Sequence, residues 1–148
     1  MPDTTIVNSI LDLYKNNQVN SLIPLLPSLQ IKGRPYGLGS HFHMEPLFKT
    51  NVAQRVILKC GRQVAKSTSM AAECILQSLA QSYFNTLTVH PRFTQTRQFS
   101  NNVIRPLIDG TPLKKLMMDS TCENSVQQRS FRNKSNLYFS FAFLDAER

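Results

Sequence analysis

The chain has 148 residues, of which 41% are hydrophobic and 18% charged, a composition that allows one globular domain and excludes a disordered chain. Seventeen Lys and Arg residues against nine Asp and Glu give a net charge of +8, which favours nucleic acid or nucleotide phosphate as partner over a basic surface that serves solubility alone. The three cysteines have no paired spacing, which argues against a disulfide framework or a zinc site, and no apolar run is long enough to span a membrane.

The first part of the chain predicts a helix and then an extended lead-in. An amphipathic helix over residues 5–17 is predicted by apolar residues at helical spacing: Ile6, Ile10, Leu13 and Tyr14. Prolines and glycines are concentrated in Ser21–Gly39, which predicts an extended segment. A short helix is predicted at Glu45–Lys49.

Two strand-then-helix units follow. Arg55–Lys59 is a short apolar run that predicts a strand, and a helix is predicted to begin at Lys66 after a polar loop. Thr86–His90 predicts a second strand, and Thr94–Ile108 predicts a second helix. This order of elements is typical of an α/β fold with parallel strands.

The last part of the chain predicts a β-hairpin near residues 124–144. Its strands are Asn124–Arg132 and Asn136–Leu144, joined around Asn133–Ser135. Apolar residues occupy both faces of the second strand: Leu137, Phe139, Phe141 and Phe143 on one face, with Tyr138 and Ala142 on the other. That strand is therefore predicted to be buried on both sides.

The stretch most informative about chemistry is residues 60–68, Cys-Gly-Arg-Gln-Val-Ala-Lys-Ser-Thr. It lies between a predicted strand and a predicted helix, which is the context of the phosphate-binding pattern G-x-x-x-x-G-K-[ST]. Cys60 and Ala65 stand at the two glycine positions of that pattern. We expect an alanine to be tolerated there only where its φ angle is negative.

The start of the helix carries the expected phosphate chemistry. A helix N-terminus offers unpaired backbone N–H groups and the positive end of its dipole to a phosphate. Lys66 would reach the β- and γ-phosphates, Ser67 would place its hydroxyl on Mg²⁺, and Thr68 would lie near the α-phosphate. In the alternative interpretation, these residues open a surface helix that Ser67 or Thr68 caps.

Residues 61–68 resemble the deviant Walker A loop of phage terminase large subunits, in which an Arg-Gln pair precedes Gly-Lys-Ser/Thr. The strand ending in His90-Pro91, followed by Gln95, Arg97 and Phe99, is similar to the family's second strand and the helix after it. Residues 130–133 and 139–148 resemble the hairpin that precedes the Walker B strand in that family. The resemblance covers residues 34–148.

The resemblance implies a P-loop NTPase fold of the RecA-like class, with a parallel sheet, flanking helices and a C-terminus that is incomplete in this chain. Residues 1–40 would form the N-terminal helix and lead-in, and residues 41–148 the first part of the ATPase domain. The Walker B acid and the nuclease domain would lie beyond Arg148. Asp145 and Glu147 follow an apolar run, as the acids of a Walker B motif do, but they are expected to be a polar strand end.

The resemblance also implies roles for the residues of the loop. Lys66 and Ser67 would hold the phosphates of ATP and Mg²⁺, with Thr68 beside them. Arg62 would be the catalytic arginine near the γ-phosphate, and Gln63 would shape the loop. The remaining nucleotide-binding positions would be Cys60, Gly61, Val64 and Ala65.

The function implied is an ATPase that packages double-stranded phage DNA into a capsid, in the cytoplasm of the host cell at the procapsid portal. The implied partners are DNA, the portal protein, the terminase small subunit and further copies in a ring, with no membrane. Two alternatives stay open: another P-loop motor such as a helicase, and a small basic nucleic-acid-binding module without ATPase activity.

A few further residues invite a functional interpretation. Arg92, Arg97 and Arg105 are predicted on or beside one helix, where a solvated face is expected more often than a contact with DNA or a neighbouring subunit. His41 and His43 have no metal-ligand partners in the sequence, so a structural role is expected for both.

Overall fold

The computed structural model describes residues 21–49, 55–111 and 113–142, together with residues 5, 8, 9, 12, 15 and 16. Residues 5, 8, 9, 12 and 15 are helical. The apolar residues that predict the N-terminal helix lie outside the described residues, as do Asp145 and Glu147. The apolar face of that helix and the polar strand end therefore stay predictions.

The lead-in is folded, and the prediction of an extended segment is wrong. A 3-10 helix spans Ile23–Ser28, and an antiparallel hairpin joins β1 (Gln30–Ile31) to β2 (Arg34–Pro35). The prolines fit the helix because the backbone N–H groups of Leu25 and Leu29 donate its hydrogen bonds, each 3.0 Å long. Proline content alone therefore did not distinguish an extended chain from a 3-10 turn.

A second 3-10 helix, Gly39–Phe48, follows the hairpin and contains most of the short helix predicted at Glu45–Lys49. Lys49 lies just after it and forms an isolated bridge with Ser21. The backbone N–H of Leu22 donates to the carbonyl of Phe48 at 2.8 Å. Residues 21–49, the whole of which we call the lead-in, are thus held together at their two ends.

The segment predicted as the first strand, Arg55–Lys59, is irregular and pairs with no strand of the described residues. Val56 and Ile57 are 49% and 91% exposed. A strand is stable when its backbone groups bond to a neighbour and its apolar side chains are covered, and here neither occurs. The helix predicted from Lys66 is present as α1, Lys66–Ala80.

Three strands, β3 (Asn85–His90), β4 (Gln128–Ser130) and β5 (Asn136–Phe141), form a mixed sheet in the order β3-β5-β4. The strand predicted at Thr86–His90 is present as β3, and it pairs in parallel with β5. The predicted hairpin is present as β4 antiparallel to β5, although both strands are shorter than predicted. The α/β class is therefore confirmed, with one parallel and one antiparallel pairing.

The second predicted helix is one helical run with a π-helical turn at its centre. It consists of α2 (Phe93–Phe99), the π turn Ser100–Ile104 and α3 (Arg105–Asp109), and a short α4 (Lys114–Met117) follows. Proline at position 106 has no N–H to donate to the preceding turn, and its ring crowds that turn. The backbone widens instead, and the N–H of residue 105 bonds five residues back.

One hydrophobic core joins the lead-in, α1, the helical run and one face of the sheet. The lead-in, α1 and the helical run supply fully buried large side chains to this core: Leu22, Leu25, Leu26, Leu29, Phe48, Ile75, Leu76, Ile104, Leu107 and Ile108. The sheet adds Leu137 and Phe139 from β5. The lead-in therefore contributes to the same core that supports the start of α1.

The prediction that β5 is buried on both sides is wrong for its described residues. Leu137 and Phe139 face the core, whereas Tyr138, on the opposite face, is 37% exposed. Phe141 shares the face of Leu137 and is 38% exposed at the end of the strand. Helices pack on one face of the sheet within the described residues, so only alternate side chains of β5 are covered.

Candidate functional site

The loop at residues 60–66 is closed by the side chain at the start of α1. The ammonium nitrogen Nζ of Lys66 donates hydrogen bonds to the carbonyl oxygens of Cys60, at 2.9 Å, and Gly61, at 2.6 Å. These bonds join the two ends of the loop and hold a positive charge at its mouth. The structure thus brings together three of the predicted site residues.

Two residues of the loop, Gln63 and Ala65, adopt left-handed backbone conformations, with φ angles of 59° and 57°. The expectation that Ala65 has a negative φ is therefore wrong. A residue with a Cβ atom costs roughly 1–2 kcal/mol in this conformation, because Cβ approaches the following carbonyl. Gly61 has no positive φ, so the glycine that the loop retains is not at a position that demands one.

The first turn of α1 presents backbone donors that nothing caps. Ala65 is the N-cap residue and forms no side-chain cap, and the first helical bond is donated by the N–H of Ser69 to the carbonyl of Ala65 at 2.8 Å. The N–H groups before Ser69 have no partner within the helix. Among the described residues, the hydroxyls of Ser67 and Thr68 make no hydrogen bond, so neither caps the helix.

Other loop residues are placed with fewer constraints. Arg62 and Gln63 lie in an exposed turn, Val64 is half-buried, and the side chain of Arg62 has no hydrogen-bond or ion-pair partner among the described residues. The guanidinium of Arg62 is therefore available to an anion bound at the loop. His41 and His43, in the lead-in, are neighbours of each other at 5.9 Å between ring centroids.

Tyr36 is a contact of the site that sequence reasoning missed. Its phenol oxygen lies 2.9 Å from the hydroxyl oxygen of Ser69, and both side chains are buried. The backbone N–H of Tyr36 donates to the carbonyl of Leu29 at 2.8 Å. The lead-in thereby fixes the first turn of α1, through a contact between residues 33 positions apart that no local pattern indicates.

Among the described residues, no group of three or more His, Cys, Asp or Glu side chains could hold a metal ion. The hydroxyl of Ser67 is exposed at the start of α1 and is an oxygen ligand of the kind that Mg²⁺ prefers. No helix of the described residues has the length and apolarity to cross a membrane.

We expect Ala65→Gly to stabilise the protein by about 1 kcal/mol, because glycine adopts the left-handed conformation without the Cβ penalty. The free energy of unfolding from urea denaturation measures the change. Ala72→Gly is the matched control: Ala72 lies buried within α1, where the same substitution should destabilise by about 1 kcal/mol. Equal destabilisation by both substitutions would contradict the left-handed conformation of Ala65.

The sequence matches a model of a known protein family. A family model described as the ATPase domain of the phage terminase large subunit gpA matches residues 35–142, which is more than half of the chain. The matched residues include the loop, α1, the helical run and the three-stranded sheet. No curated protein and no solved structure matches the sequence at the significance required.

Proposed function

On the premise that this chain belongs to the family of phage terminase large subunit gpA ATPase domains, we propose that residues 60–68 are its phosphate-binding loop. The family membership makes ATP-driven packaging of phage DNA the function of the chain. It does not favour the helicase or the small nucleic-acid-binding module. The proposal adds which residues bind the nucleotide and how they do so.

The observation that carries the proposal is the position of Lys66 at an uncapped helix start. Its ammonium is held 2.6 Å from the carbonyl oxygen of Gly61, and the first N–H groups of α1 have no helical partner. Together they form a cluster of donors with a positive charge, which phosphate oxygens match as acceptors. A helix that served only as surface structure would gain from a side-chain cap, and Ala65 provides none.

The chain's own residues would then act as follows. The backbone N–H groups of residues 66–68 receive the phosphate oxygens of ATP, and Lys66 exchanges its loop carbonyls for the β- and γ-phosphates. Ser67 offers its hydroxyl to Mg²⁺, which when bound neutralises charge that develops on the phosphates. Arg62, exposed in the turn, stabilises the γ-phosphate in the transition state as a catalytic arginine within the chain.

The wider assignment rests on the family. We propose a P-loop arrangement of the RecA-like class in which residues 41–148 are the first part of the ATPase domain, with residues 1–40 leading into it. The acid that activates water and the nuclease residues would lie in further parts of the protein. The partners would be double-stranded DNA, the portal protein, the terminase small subunit and other copies in a ring, at the procapsid portal in the host cytoplasm.

Protection of Cys60 from alkylation tests the loop directly. Cys60 is half-buried, and its carbonyl is one of the two acceptors of Lys66. We expect a non-hydrolysable ATP analogue with Mg²⁺ to slow the reaction of Cys60 with iodoacetamide several-fold, because bound phosphates cover the loop. The folded protein is alkylated, and the rate at each cysteine is then measured by mass spectrometry of its peptides.

The other two cysteines are internal controls. Cys122 lies between α4 and β4, outside the loop, so its rate should not change. Burial, followed by the charge of Glu73, raises the pKa of Cys74 to about 12, so it should react slowly with or without nucleotide. Lys66→Ala should remove the protection. Equal rates at Cys60 with and without the analogue, at saturating concentration, would refute the assignment of the loop.

A further inference from the structure

The helical run from α2 to α3 has an exposed face that carries positive charge and no carboxylate until its last residue. Between Glu73 and Asp109 the sequence contains no acidic residue. Arg92 and Arg97 are exposed and make no ion pair among the described residues. An arginine without a partner on a surface of like charge attracts an anion from solution.

A groove of about 370 Å³ lies on this face. Its lining, which we call the polar groove, consists of five residues: Thr94, Arg97, Gln98, Asn101 and Asn102. Each of them lies three or four positions along the helix from at least one other, so the five form one continuous stripe. Every member carries a hydrogen-bond donor, and none carries a negative charge.

The opposite side of the run is fixed to the sheet, so the polar groove stands on a rigid support. The hydroxyl of Thr96 donates to the carbonyl of Ser140 at 3.0 Å, and Phe99 is buried in the core. The guanidinium of Arg129, itself buried, donates to the carbonyl and hydroxyl oxygens of Ser100 at 3.2 and 3.0 Å. These bonds hold the π turn, whose outer side carries Asn101 and Asn102.

The single acid at the end of the run does not oppose an anion in the groove. Asp109 forms ion pairs with Lys114 at 2.6 Å and with Arg105 at 3.3 Å. Burial would raise the pKa of Asp109, but hydrogen bonds and charge from Lys114 and Arg105 hold the pKa below its usual value. Its negative charge is therefore matched by two cations.

We propose that the polar groove binds the phosphate backbone of the double-stranded DNA that this protein packages. Arginine, threonine, asparagine and glutamine side chains are donors that phosphate oxygens accept in protein–DNA complexes, and such contacts carry no sequence information. A packaging motor has to hold DNA of any sequence, which suits this set of donors. The inference rests on the packaging function and is independent of the nucleotide assignment of residues 60–68.

The test compares two arginine substitutions with the same loss of charge. Arg97→Gln removes a charge from the polar groove, and Arg132→Gln removes one from the turn between β4 and β5, outside the groove. Binding of a fluorescent DNA duplex by the full-length protein is measured by anisotropy over a range of salt concentrations. We expect Arg97→Gln to weaken binding about tenfold at low salt and to reduce the salt slope by about one, with little change for Arg132→Gln.

A second substitution introduces repulsion at the same place. Asn101→Asp puts a negative charge beside the phosphates and should weaken DNA binding at least as much as Arg97→Gln. Both variants should melt at the temperature of the parent protein and should keep its affinity for ATP. DNA affinity is measured without nucleotide, so a failure of the nucleotide assignment would leave this test intact.

Two results would overturn the proposal. Equal weakening by Arg97→Gln and Arg132→Gln would mean that DNA responds to total charge and not to the groove. Unchanged DNA affinity in Arg97→Gln and Asn101→Asp, together with altered assembly of the protein in sedimentation, would assign the groove to contact with a neighbouring subunit.

Discussion

Lys66→Ala is expected to abolish ATP binding and ATP hydrolysis while leaving the fold nearly intact. The substitution removes the charged donor at the mouth of the loop, and phosphate binding there depends on that donor. The loss of two hydrogen bonds to the carbonyls of Cys60 and Gly61 should change the free energy of unfolding by only about 1 kcal/mol, because these carbonyls remain near solvent. Nucleotide affinity by fluorescence titration and unfolding by urea, on the full-length protein, measure the two effects.

Lys59→Ala is the matched control for this experiment. Lys59 is exposed in the segment before the loop and carries the same charge, with no ion pair among the described residues. We expect it to keep most of the ATP affinity. If both variants bind ATP as the parent does, Lys66 is not the phosphate-binding lysine.

Leu25→Ala is expected to lower the free energy of unfolding by roughly 2–5 kcal/mol. Leu25 lies in the first 3-10 helix of the lead-in and is completely buried in the core shared with α1. Truncation leaves a cavity that the surrounding side chains fill only in part, so both transfer energy and packing are lost. Urea denaturation followed by circular dichroism gives the change.

An exposed leucine provides the comparison for Leu25. Leu87 in β3 is 62% exposed, and Leu87→Ala should change the free energy of unfolding by about 0.5 kcal/mol or less. The lead-in and the rest of the core should unfold in one transition in the parent protein. An equal, small effect of both truncations would show that the lead-in does not share the core.

Local patterns in the sequence were sufficient for several elements of the fold. The alternating run that became β3 and the paired runs that became β4 and β5 contain their own strand signals, and a turn separates the last two. The start of α1 at Lys66 was predicted because a polar loop gives way there to helical spacing of apolar residues.

Features that depend on distant partners could not be predicted in this way. Arg55–Lys59 has the composition of a strand, but strand formation needs a neighbour to accept its backbone bonds. The alternation in β5 showed apolar residues on both faces, and only packing of the helices decides which face is covered. The prolines of the lead-in fit both a 3-10 helix and an extended chain.

In the candidate site, too, some features follow from the local sequence and others depend on distant contacts. The donors of Lys66 and the start of α1 belong to one short stretch of sequence, and their roles follow from the pattern of that stretch. The left-handed conformation of Ala65 is set by the closure of the loop, and alanine has no preference that indicates it. The contact between Tyr36 and Ser69 exists only because the hairpin of the lead-in folds against α1.

The two carbonyl bonds of Lys66 affect where the desolvation of its charge takes place. An ammonium that is free in water must lose part of its hydration shell when it approaches a phosphate, and that loss opposes binding. Here the carbonyl oxygens of Cys60 and Gly61 already replace water around Nζ in the folded protein. Much of the dehydration of the Lys66 ammonium therefore takes place when the protein folds. When a nucleotide binds, its charged phosphate oxygens replace the neutral carbonyl oxygens around an ammonium that has already lost part of its water.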